Sequence, residues 1–236
     1  MSVVGIIHKK LSVIVPCYNE ERTVGELLNR LRAAPTPYGW TREVIIVDDN
    51  SKDSTRNILK RYERDALIIW CKENGGKGTA VRRGIESAMG DYVLIQDADL
   101  EYDPVDIATL LAVIDRGTAD VVYGSRNLSP HTRRGGAIAS AGVWLITKLI
   151  NGLYGLSLTD VWTCYKLFPR EAAGDFAAGH FESELLFTAA LARRRYRFAE
   201  VPISYAPRAV SEGKKIRYRD GMYAIVAIIQ DRLRHF

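Results

Sequence analysis

Residues 91–101 read Asp91-Tyr92-Val93-Leu94-Ile95-Gln96-Asp97-Ala98-Asp99-Leu100-Glu101, an apolar run that ends in a cluster of acids. The apolar part predicts a short buried strand. Residues two apart share one face of a strand, so this spacing points Asp97 and Asp99 the same way. Close carboxylates repel unless a cation lies between them, and Mg²⁺ or Mn²⁺ prefers carboxylate oxygens together with phosphate. A polar turn, in which Asp99 caps the helix near Pro104, is the simpler alternative.

Strands alternate with helical patterns on both sides of this stretch. Apolar runs predict strands over residues 11–15, 44–47, 67–70 and 121–123, the first of them buried and stopped by Pro16. Apolar residues three and four apart predict helices over residues 24–31, 54–62, 79–89 and 107–114. The alternation is typical of an α/β fold with a mostly parallel sheet and helices on both faces. Three strand ends that carry acids, residues 16–20, 48–53 and 97–101, then meet at one edge of the sheet. This is the edge at which open α/β sheets bind ligands.

The second half of the chain has a different character. Residues 137–158 carry one charge, Lys148, but Gly and Asn interrupt the apolar run. The pattern predicts one or two helices at a membrane surface, with a buried core helix or a membrane span as alternatives. Later patterns predict a strand over 161–168, a helix over 181–192, a strand over 197–203 and a final apolar helix. A basic segment before that helix suits anionic headgroups or phosphate, or forms a solvated face; it contains Arg208, Lys214, Lys215, Arg217 and Arg219.

Composition limits the protein class. The chain has 236 residues, and a net charge of +5 is too small to indicate nucleic-acid binding by itself. We expect one domain over 1–236. Three scattered cysteines predict free buried thiols in a reducing compartment. The N-terminus lacks the apolar core of a signal peptide, so we expect a cytoplasmic protein.

A glycine-rich turn, Gly75-Gly76-Lys77-Gly78, opens the third predicted helix. Such a turn can set Lys77 and the N–H groups of a helix N-terminus near phosphate. Its spacing is not that of a Walker A loop, which disfavours ATPase chemistry. A nucleotide sugar with its metal would suit an edge that combines this turn with several carboxylates.

Five motifs, taken in order, carry a resemblance to a known family. They are Val15-Pro16-Cys17-Tyr18-Asn19-Glu20, Val47-Asp48-Asp49-Asn50-Ser51-Lys52-Asp53, Gly76-Lys77-Gly78, Asp97-Ala98-Asp99-Leu100 and Gly124-Ser125-Arg126. In order and spacing they resemble family 2 glycosyltransferases of the GT-A fold. Thr159-Asp160, followed by Cys164-Tyr165-Lys166-Leu167-Phe168, resembles the polyprenyl-phosphate branch, the group of dolichol-phosphate mannose and glucose synthases.

The resemblance implies a role for each residue at a matching position. Nucleotide-sugar binding falls to Pro16, Tyr18, Glu20, Asp49, Lys77 and Asp97. Catalysis falls to Asp97, Asp99, Arg126, Arg208 and Lys214, and contact with the acceptor phosphate to Arg133, Arg134, Asp160 and Lys215. Asp99 and Glu101 would hold Mg²⁺ or Mn²⁺. The mannose synthases have Gln where this chain has Glu101, a change expected to shift the metal preference.

The implied reaction is inverting transfer of a sugar from a UDP- or GDP-sugar to a polyprenyl phosphate at the cytoplasmic face of the membrane. The resemblance implies a nucleotide-sugar-binding half over 1–126 and an acceptor and membrane-interface half over 127–236. It also implies interfacial helices after Arg134 and a peripheral membrane protein, attached directly or through a small membrane-protein partner. Nucleic acid is not an expected partner.

Three alternatives remain open at the level of sequence. The acceptor could be a soluble sugar, a protein or a small molecule. A nucleotidyltransferase also has an acid-rich α/β edge, but it would carry a Gly-rich basic loop where Pro16-Cys17-Tyr18-Asn19-Glu20 stands. A nucleotide-sugar-binding module without activity is the third, and the intact acids argue against it.

Overall fold

One mixed sheet of seven strands organises the part of the chain that the computed structural model describes, which is residues 8–129, 137–180, 182–208 and 218–235. The side chains of residues 137–140 and 218–220 lie outside that description. The strands are β1 (Lys9–Cys17), β2 (Trp40–Asp48), β3 (Leu67–Trp70), β4 (Tyr92–Ile95), β5 (Val121–Ser125), β6 (Lys166–Pro169) and β7 (Phe198–Pro202). Their order across the sheet is β3-β2-β1-β4-β6-β5-β7.

Strand directions confirm the mostly parallel sheet. β1 runs parallel to β2 and β4, β2 runs parallel to β3, and β5 runs parallel to β7. β6 is antiparallel to both of its neighbours, β4 and β5. It therefore joins two parallel groups of strands that point the same way, and the ends of β1, β2, β4 and β5 share one edge of the sheet.

The strand predicted over 161–168 is wrong for its first five residues, since β6 begins only at Lys166. Two of the earlier backbone N–H groups donate to side chains and not to a neighbouring strand. Cys164 N donates to the Tyr102 hydroxyl, and Tyr165 N donates to Thr163 Oγ1. The segment is apolar because it is buried beneath the sheet edge, and burial alone does not make a strand.

Pro16 does not stop the first strand, which continues to Cys17. The β1–β4 ladder ends at Ile14, whose carbonyl accepts from Gln96 N. Side-to-side alternation along β1 turns Pro16 toward the same flank, where β4 has already ended. The missing N–H of proline therefore costs no ladder hydrogen bond there.

Helices cover both faces of the sheet: α1 (Val24–Ala33), α2 (Thr55–Leu59), α3 (Lys77–Glu86), α4 (Ile107–Asp115), α5 (Ala137–Tyr154), α6 (Glu182–Arg193) and α7 (Tyr218–Arg234). The predicted apolar stripes of α1 and α4 are buried, α1 through Val24, Leu27, Leu28 and Leu31. Side chains of α1, α2 and α4 pack on one face, and those of α3, α5, α6 and α7 pack on the other. Each fully buried leucine stabilises the fold by about 1.5–3 kcal/mol.

The apolar stretch predicted as one or two interfacial helices forms the single helix α5. Ile146 and Ile150 are buried, while Trp144 and Leu145 are 60% and 53% exposed. α7 has the same division, with Ile228 buried. Within the described ranges, no helix combines the length and the apolar character that crossing a bilayer requires.

Candidate active site

The loops that follow β1, β2 and β4 meet at the shared edge of the sheet. Each contains a non-glycine residue with positive φ: Asn19 at 51°, Asn50 at 64° and Leu100 at 63°. Asparagine tolerates this conformation, but leucine pays about 1–2 kcal/mol because its Cβ crowds the backbone. Strain of this kind persists where the surrounding structure enforces it, and at Leu100 it bends the acidic loop between Asp99 and Glu101.

The β2 loop builds the glycine-rich turn. Both carboxylate oxygens of Asp49 accept backbone hydrogen bonds, from Gly75 N at 2.9 Å and from Gly76 N at 2.8 Å. Gly76 has φ 84°, and a Cβ built on it would lie 2.4 Å from Nδ1 of His180, so glycine is required there. α3 begins at Lys77, two residues earlier than predicted.

Lys77 lies between two carboxylates. Its Nζ is 2.7 Å from Asp97 Oδ1, 2.9 Å from Glu184 Oε1 and 2.9 Å from the Cys164 sulfur. Burial by itself would raise the pKa of Asp97, but the Lys77 ammonium, the hydrogen bonds from Lys77 and Cys164 and the charge of Arg208 together lower it. Asp97 is therefore held ionised. Burial also raises the pKa of the Cys164 thiol well above its usual value, which keeps it neutral.

Arg208 fills the space among the remaining acids. Its guanidinium lies 3.1 Å from Glu20 Oε2, 2.8 Å from Asp99 Oδ2 and 3.8 Å from Glu101 Oε1. The Arg208 Nε is buried and has no hydrogen-bond partner in the described part of the chain. Burial, with repulsion from Asp97 and Glu101, raises the pKa of Asp99 to about 7. Among the described residues, this one guanidinium therefore lies against three carboxylates.

Arg126 lies at the end of β5 and is held by Asp160. Its Nε and Nη2 donate to the two Asp160 oxygens at 2.7 and 2.8 Å, and its backbone N–H donates to one of them. The Arg126 guanidinium also stacks 5.1 Å from the ring centre of Tyr205, whose hydroxyl donates to Glu101. Asp160 is fully buried, so its carboxylate orients Arg126 and does not itself face the open site.

The acidic loop differs in detail from the predicted geometry. β4 ends at Ile95, so Asp97 and Asp99 belong to a turn, and the prediction of a shared strand face is wrong. They turn to different cations, Asp97 to Lys77 and Asp99 to Arg208. The alternative role of Asp99 as a helix cap is also wrong, because Asp103 accepts from Val105 N at the start of the next turn.

Most of the sequence-predicted site residues that the structure describes lie around this edge. They are Pro16, Tyr18, Glu20, Asp49, Lys77, Asp97, Asp99, Glu101, Arg126, Asp160 and Arg208. Arg133, Arg134, Lys214 and Lys215 lie outside the described residues. Tyr165, from the motif that resembles the polyprenyl-phosphate branch, is buried in the core against Tyr102, with ring centres 5.4 Å apart.

Sequence reasoning missed three partners of the site: Lys166, Glu184 and Tyr205. One signal for Lys166 was present, since it is the only charge in the otherwise apolar run 161–168. A lysine in a buried segment needs an anion, and Glu184 supplies it at 3.2 Å. Nothing in the sequence pattern paired Tyr205 with Glu101.

Oxygen donors for a metal exist in this pocket, although the acids are spread around Arg208. Across residues 8–129, 137–180, 182–208 and 218–235, no group of three or more acidic, His or Cys side chains is arranged to hold a metal ion. Asp99 and Glu101 still fit a hard divalent cation chemically, because both are carboxylates, and the charges of Asp97 and Glu101 add to the burial that raises the pKa of Asp99.

Two solved structures share the fold. Glucosyl-3-phosphoglycerate synthase from Mycobacterium tuberculosis, in complex with Mn²⁺, UDP and phosphoglyceric acid, matches with a TM-score of 0.73 at 18% identity, over 95% of this chain and 78% of that chain. S. aureus TarS in complex with UDP-GlcNAc matches with a TM-score of 0.63 at 21% identity, over 94% of this chain and 66% of that chain.

Sequence relatives are closer. Dodecaprenyl-phosphate galacturonate synthase of Rhizobium johnstonii is 32% identical over 163 residues, 67% of this chain and 47% of the relative. Undecaprenyl-phosphate 4-deoxy-4-formamido-L-arabinose transferase of Shewanella sediminis is 28% identical over 208 residues, 86% of this chain and 61% of the relative. The chain thus spans about half to three fifths of the length of these two proteins.

The family model described as glycosyl transferase family 2 matches residues 12–176, from β1 to the 3₁₀ turn after β6. This match includes the loops after β1, β2 and β4, the glycine-rich turn and Arg126. With more than half of its residues matched, the chain belongs to glycosyl transferase family 2.

Proposed function

We propose that the protein transfers a sugar from a nucleotide sugar to the phosphate of a polyprenyl phosphate. The observation that carries the proposal is the charge imbalance at the sheet edge. Among the described residues, the four carboxylates of Glu20, Asp97, Asp99 and Glu101 lie against two cations, Lys77 and Arg208. A cation-bound diphosphate would bring positive charge to the acids and anionic oxygens to Lys77 and Arg208. The names of the two sequence relatives support the lipid phosphate as acceptor.

The donor would be held by the loops after β1 and β2. We assign the nucleoside to Pro16, Tyr18, Glu20 and Asp49, with Asp49 acting chiefly through the turn that it fixes at Gly75 and Gly76. Lys77 would meet the donor phosphates at the N-terminus of α3, where helix N–H groups and the helix dipole favour an anion.

Asp99 and Glu101 would hold a divalent cation, Mg²⁺ or Mn²⁺. The ion would stabilise the negative charge that grows on the leaving nucleoside diphosphate. Arg208, which now neutralises Asp99 and Glu20, would then be released in part toward phosphate oxygens. The Mn²⁺ complex of the M. tuberculosis synthase supports metal use within this fold.

Arg126 would contact the acceptor phosphate, with Asp160 fixing the guanidinium plane. A phosphate monoester has a second pKa of about 6, so its oxygen is already a nucleophile near neutral pH and needs no general base. Repulsion between the two phosphates costs several kcal/mol at a low effective dielectric constant, and Arg126 with Arg208 offsets it. Direct attack on the anomeric carbon inverts its configuration.

Two helices would keep the site at a membrane surface. α7 leaves Met222, Tyr223 and Leu233 between 62% and 71% exposed, and α5 exposes Trp144. Large apolar side chains in such numbers at a surface suit insertion into the headgroup region. We infer peripheral attachment at the cytoplasmic face, where lipid phosphate and nucleotide sugar can meet.

Purified protein should be mixed with labelled UDP- and GDP-sugars, Mn²⁺ or Mg²⁺, and a polyprenyl phosphate or 3-phosphoglycerate as a soluble phosphate acceptor. We expect labelled lipid with at least one of the donors. Asp99→Ala should form at least a hundredfold less labelled lipid, which is the scale of losing one preorganised charge. Full transfer by Asp99→Ala would refute the role of Asp99. Label only in 3-phosphoglycerate would refute the lipid acceptor.

A further inference from the structure

A chain of four alternating charges runs from the core to the site. Lys166 Nζ lies 3.2 Å from Glu184 Oε2, Glu184 Oε1 lies 2.9 Å from Lys77 Nζ, and Lys77 Nζ lies 2.7 Å from Asp97 Oδ1. Lys166 and Glu184 are at the dry end, with side chains 0% and 3% exposed. Lys77 and Asp97, at 13% and 15%, reach the site.

Lys166 is anchored on its far side by groups without charge. Its ammonium donates to the Thr163 carbonyl and lies 5.1 Å from the ring centre of Tyr123. The Tyr123 hydroxyl is in turn within 2.8 Å of Thr188 Oγ1 on α6. Glu184 and Thr188 are one turn apart on α6, so one helix face contacts the Lys166 ammonium directly through Glu184 and indirectly through Tyr123.

Burying two ions away from solvent is a poor way to gain stability. The desolvation cost offsets the Coulomb attraction, and well-packed neutral residues often do as well or better. The geometry gives this pair another role. Glu184 is the second carboxylate on Lys77, and it pulls the ammonium in a direction that Asp97 alone does not.

The backbone keeps α3 and α6 in register at this point. A Cβ on Gly78 would lie 2.4 Å from Ser183 Oγ and 2.8 Å from the Gly179 carbonyl. The Gly179 carbonyl also accepts a hydrogen bond from Thr79 N. The first turn of α3 is thus pressed against the start of α6, which leaves the Lys77 side chain within reach of Glu184.

We propose that Glu184 and Lys166 are positioning residues for the donor, an inference that rests on the proposed function. Glu184 holds the Lys77 ammonium in place for the donor phosphates, and Lys166 balances the buried Glu184 charge. Without Glu184, Asp97 is the carboxylate that the described residues still place on Lys77, and a donor has to compete for both Lys77 and Asp97.

The test is the double variant Lys166→Met/Glu184→Gln, which removes one charge of each sign and leaves the net charge unchanged. A change in donor binding then reports the position of the Lys77 ammonium and not a change in the net charge of the protein. The dissociation constants of UDP and GDP with Mn²⁺, from calorimetry, and the KM values for donor and polyprenyl phosphate provide the readout. The control is Asp120→Asn/Arg197→Gln, which neutralises an ion pair at the opposite end of β5 and β7.

We expect the double variant to weaken binding of the preferred nucleotide and raise the donor KM about tenfold, the loss expected for one charge-assisted hydrogen bond. The acceptor KM stays unchanged, and the control stays at the parent's values. In a Lys77→Met background the double variant has no further effect on nucleotide binding, because its effect passes through Lys77.

Equal nucleotide binding by parent and double variant, or an undiminished effect in the Lys77→Met background, overturns the inference and leaves the proposed function intact. A parent that binds neither nucleotide overturns both. If the double variant does not fold, Lys166→Arg/Glu184→Asp shifts the ions without removing them. A tenfold rise in the donor KM of that variant, with the acceptor KM unchanged, supports the inference. An unchanged donor KM contradicts it.

Discussion

Asp99 is the residue at which charge and burial conflict most. Its carboxylate accepts from Arg208 and from Glu101 N, yet burial and the charges of Asp97 and Glu101 raise its pKa to about 7. In the unfolded chain an aspartate has a pKa of about 3.9. Between these values the folded protein binds more protons than the unfolded chain, so stability is fully present below about pH 4 and falls as pH rises through about 7.

We therefore expect Asp99→Asn to flatten part of the pH dependence of stability in protein free of metal and nucleotide. Urea unfolding from pH 4 to pH 8 should show the parent losing stability relative to the variant, by about 1.4 kcal/mol at most for each unit of pKa difference. Asp65→Asn, at an exposed acid, is the control. Parallel curves for the parent and Asp99→Asn would contradict the assignment.

At the residue scale, the sequence supplied the acids and, through the family resemblance, Lys77 and Arg208, but not which cation pairs with which acid. The spacing within residues 96–101 was enough to single out Asp97 and Asp99. Arg208 lies 109 positions from Asp99, too far for any local pattern to connect them. Lys166 was read as part of a strand, and that reading gave it no ion partner. A pattern of neighbours in sequence carries no information on which distant cation faces which acid, and that choice decides the charges of the site.

At the scale of elements, α3 connects the nucleotide turn to the sheet, and its contact with β1 depends on Gly84. A Cβ there would lie 2.4 Å from Ile14 Cγ2 and 3.2 Å from Val47 Cγ2, both in strands of the core. The absence of a side chain lets the helix lie close against the sheet. That closeness places Lys77 at the strand ends.

Gly84→Ala should lower the free energy of unfolding by about 1–3 kcal/mol, because overpacking outweighs the better helix propensity of alanine. Gly142→Ala is the matched control, since it lies in α5 with nothing within 4 Å of the added Cβ. It should leave stability unchanged or raise it by up to about 1 kcal/mol. Thermal unfolding measures both, and equal effects of the two would refute the packing account.

Periodicity was sufficient for helices and insufficient for strand direction. The stripe of Leu27, Leu28 and Leu31 could be read directly, as could β3, because local spacing alone creates an apolar face. The antiparallel insertion of β6 could not be read, since direction depends on what precedes and follows a strand in space. Pro16 was read as the end of a strand for a related reason. The cost of its missing N–H depends on whether a neighbouring strand lies on that side, and β4 has already ended there.

At the scale of the whole molecule, the exposed apolar side chains of α5 and α7 make membrane binding testable. Trp144→Glu should reduce flotation with anionic vesicles about tenfold, because one large apolar side chain contributes about 1.5–3 kcal/mol when buried. Tyr38→Glu is the control, at an 83% exposed aromatic before β2. Equal flotation of the two variants would contradict the assignment of α5 to the membrane surface. Nucleotide binding should stay unchanged in both.

The antiparallel strand also governs the order in which the molecule can form during synthesis. β5 contacts β4 only through β6, so residues 121–125 have no place in the sheet until residues 166–169 leave the ribosome. Arg208 reaches Glu20 across 188 positions of the chain. A nascent chain therefore carries an unpaired, apolar strand until residues 166–169 are made, and such a chain is prone to aggregate. Arg208 joins the acids of the candidate site later still.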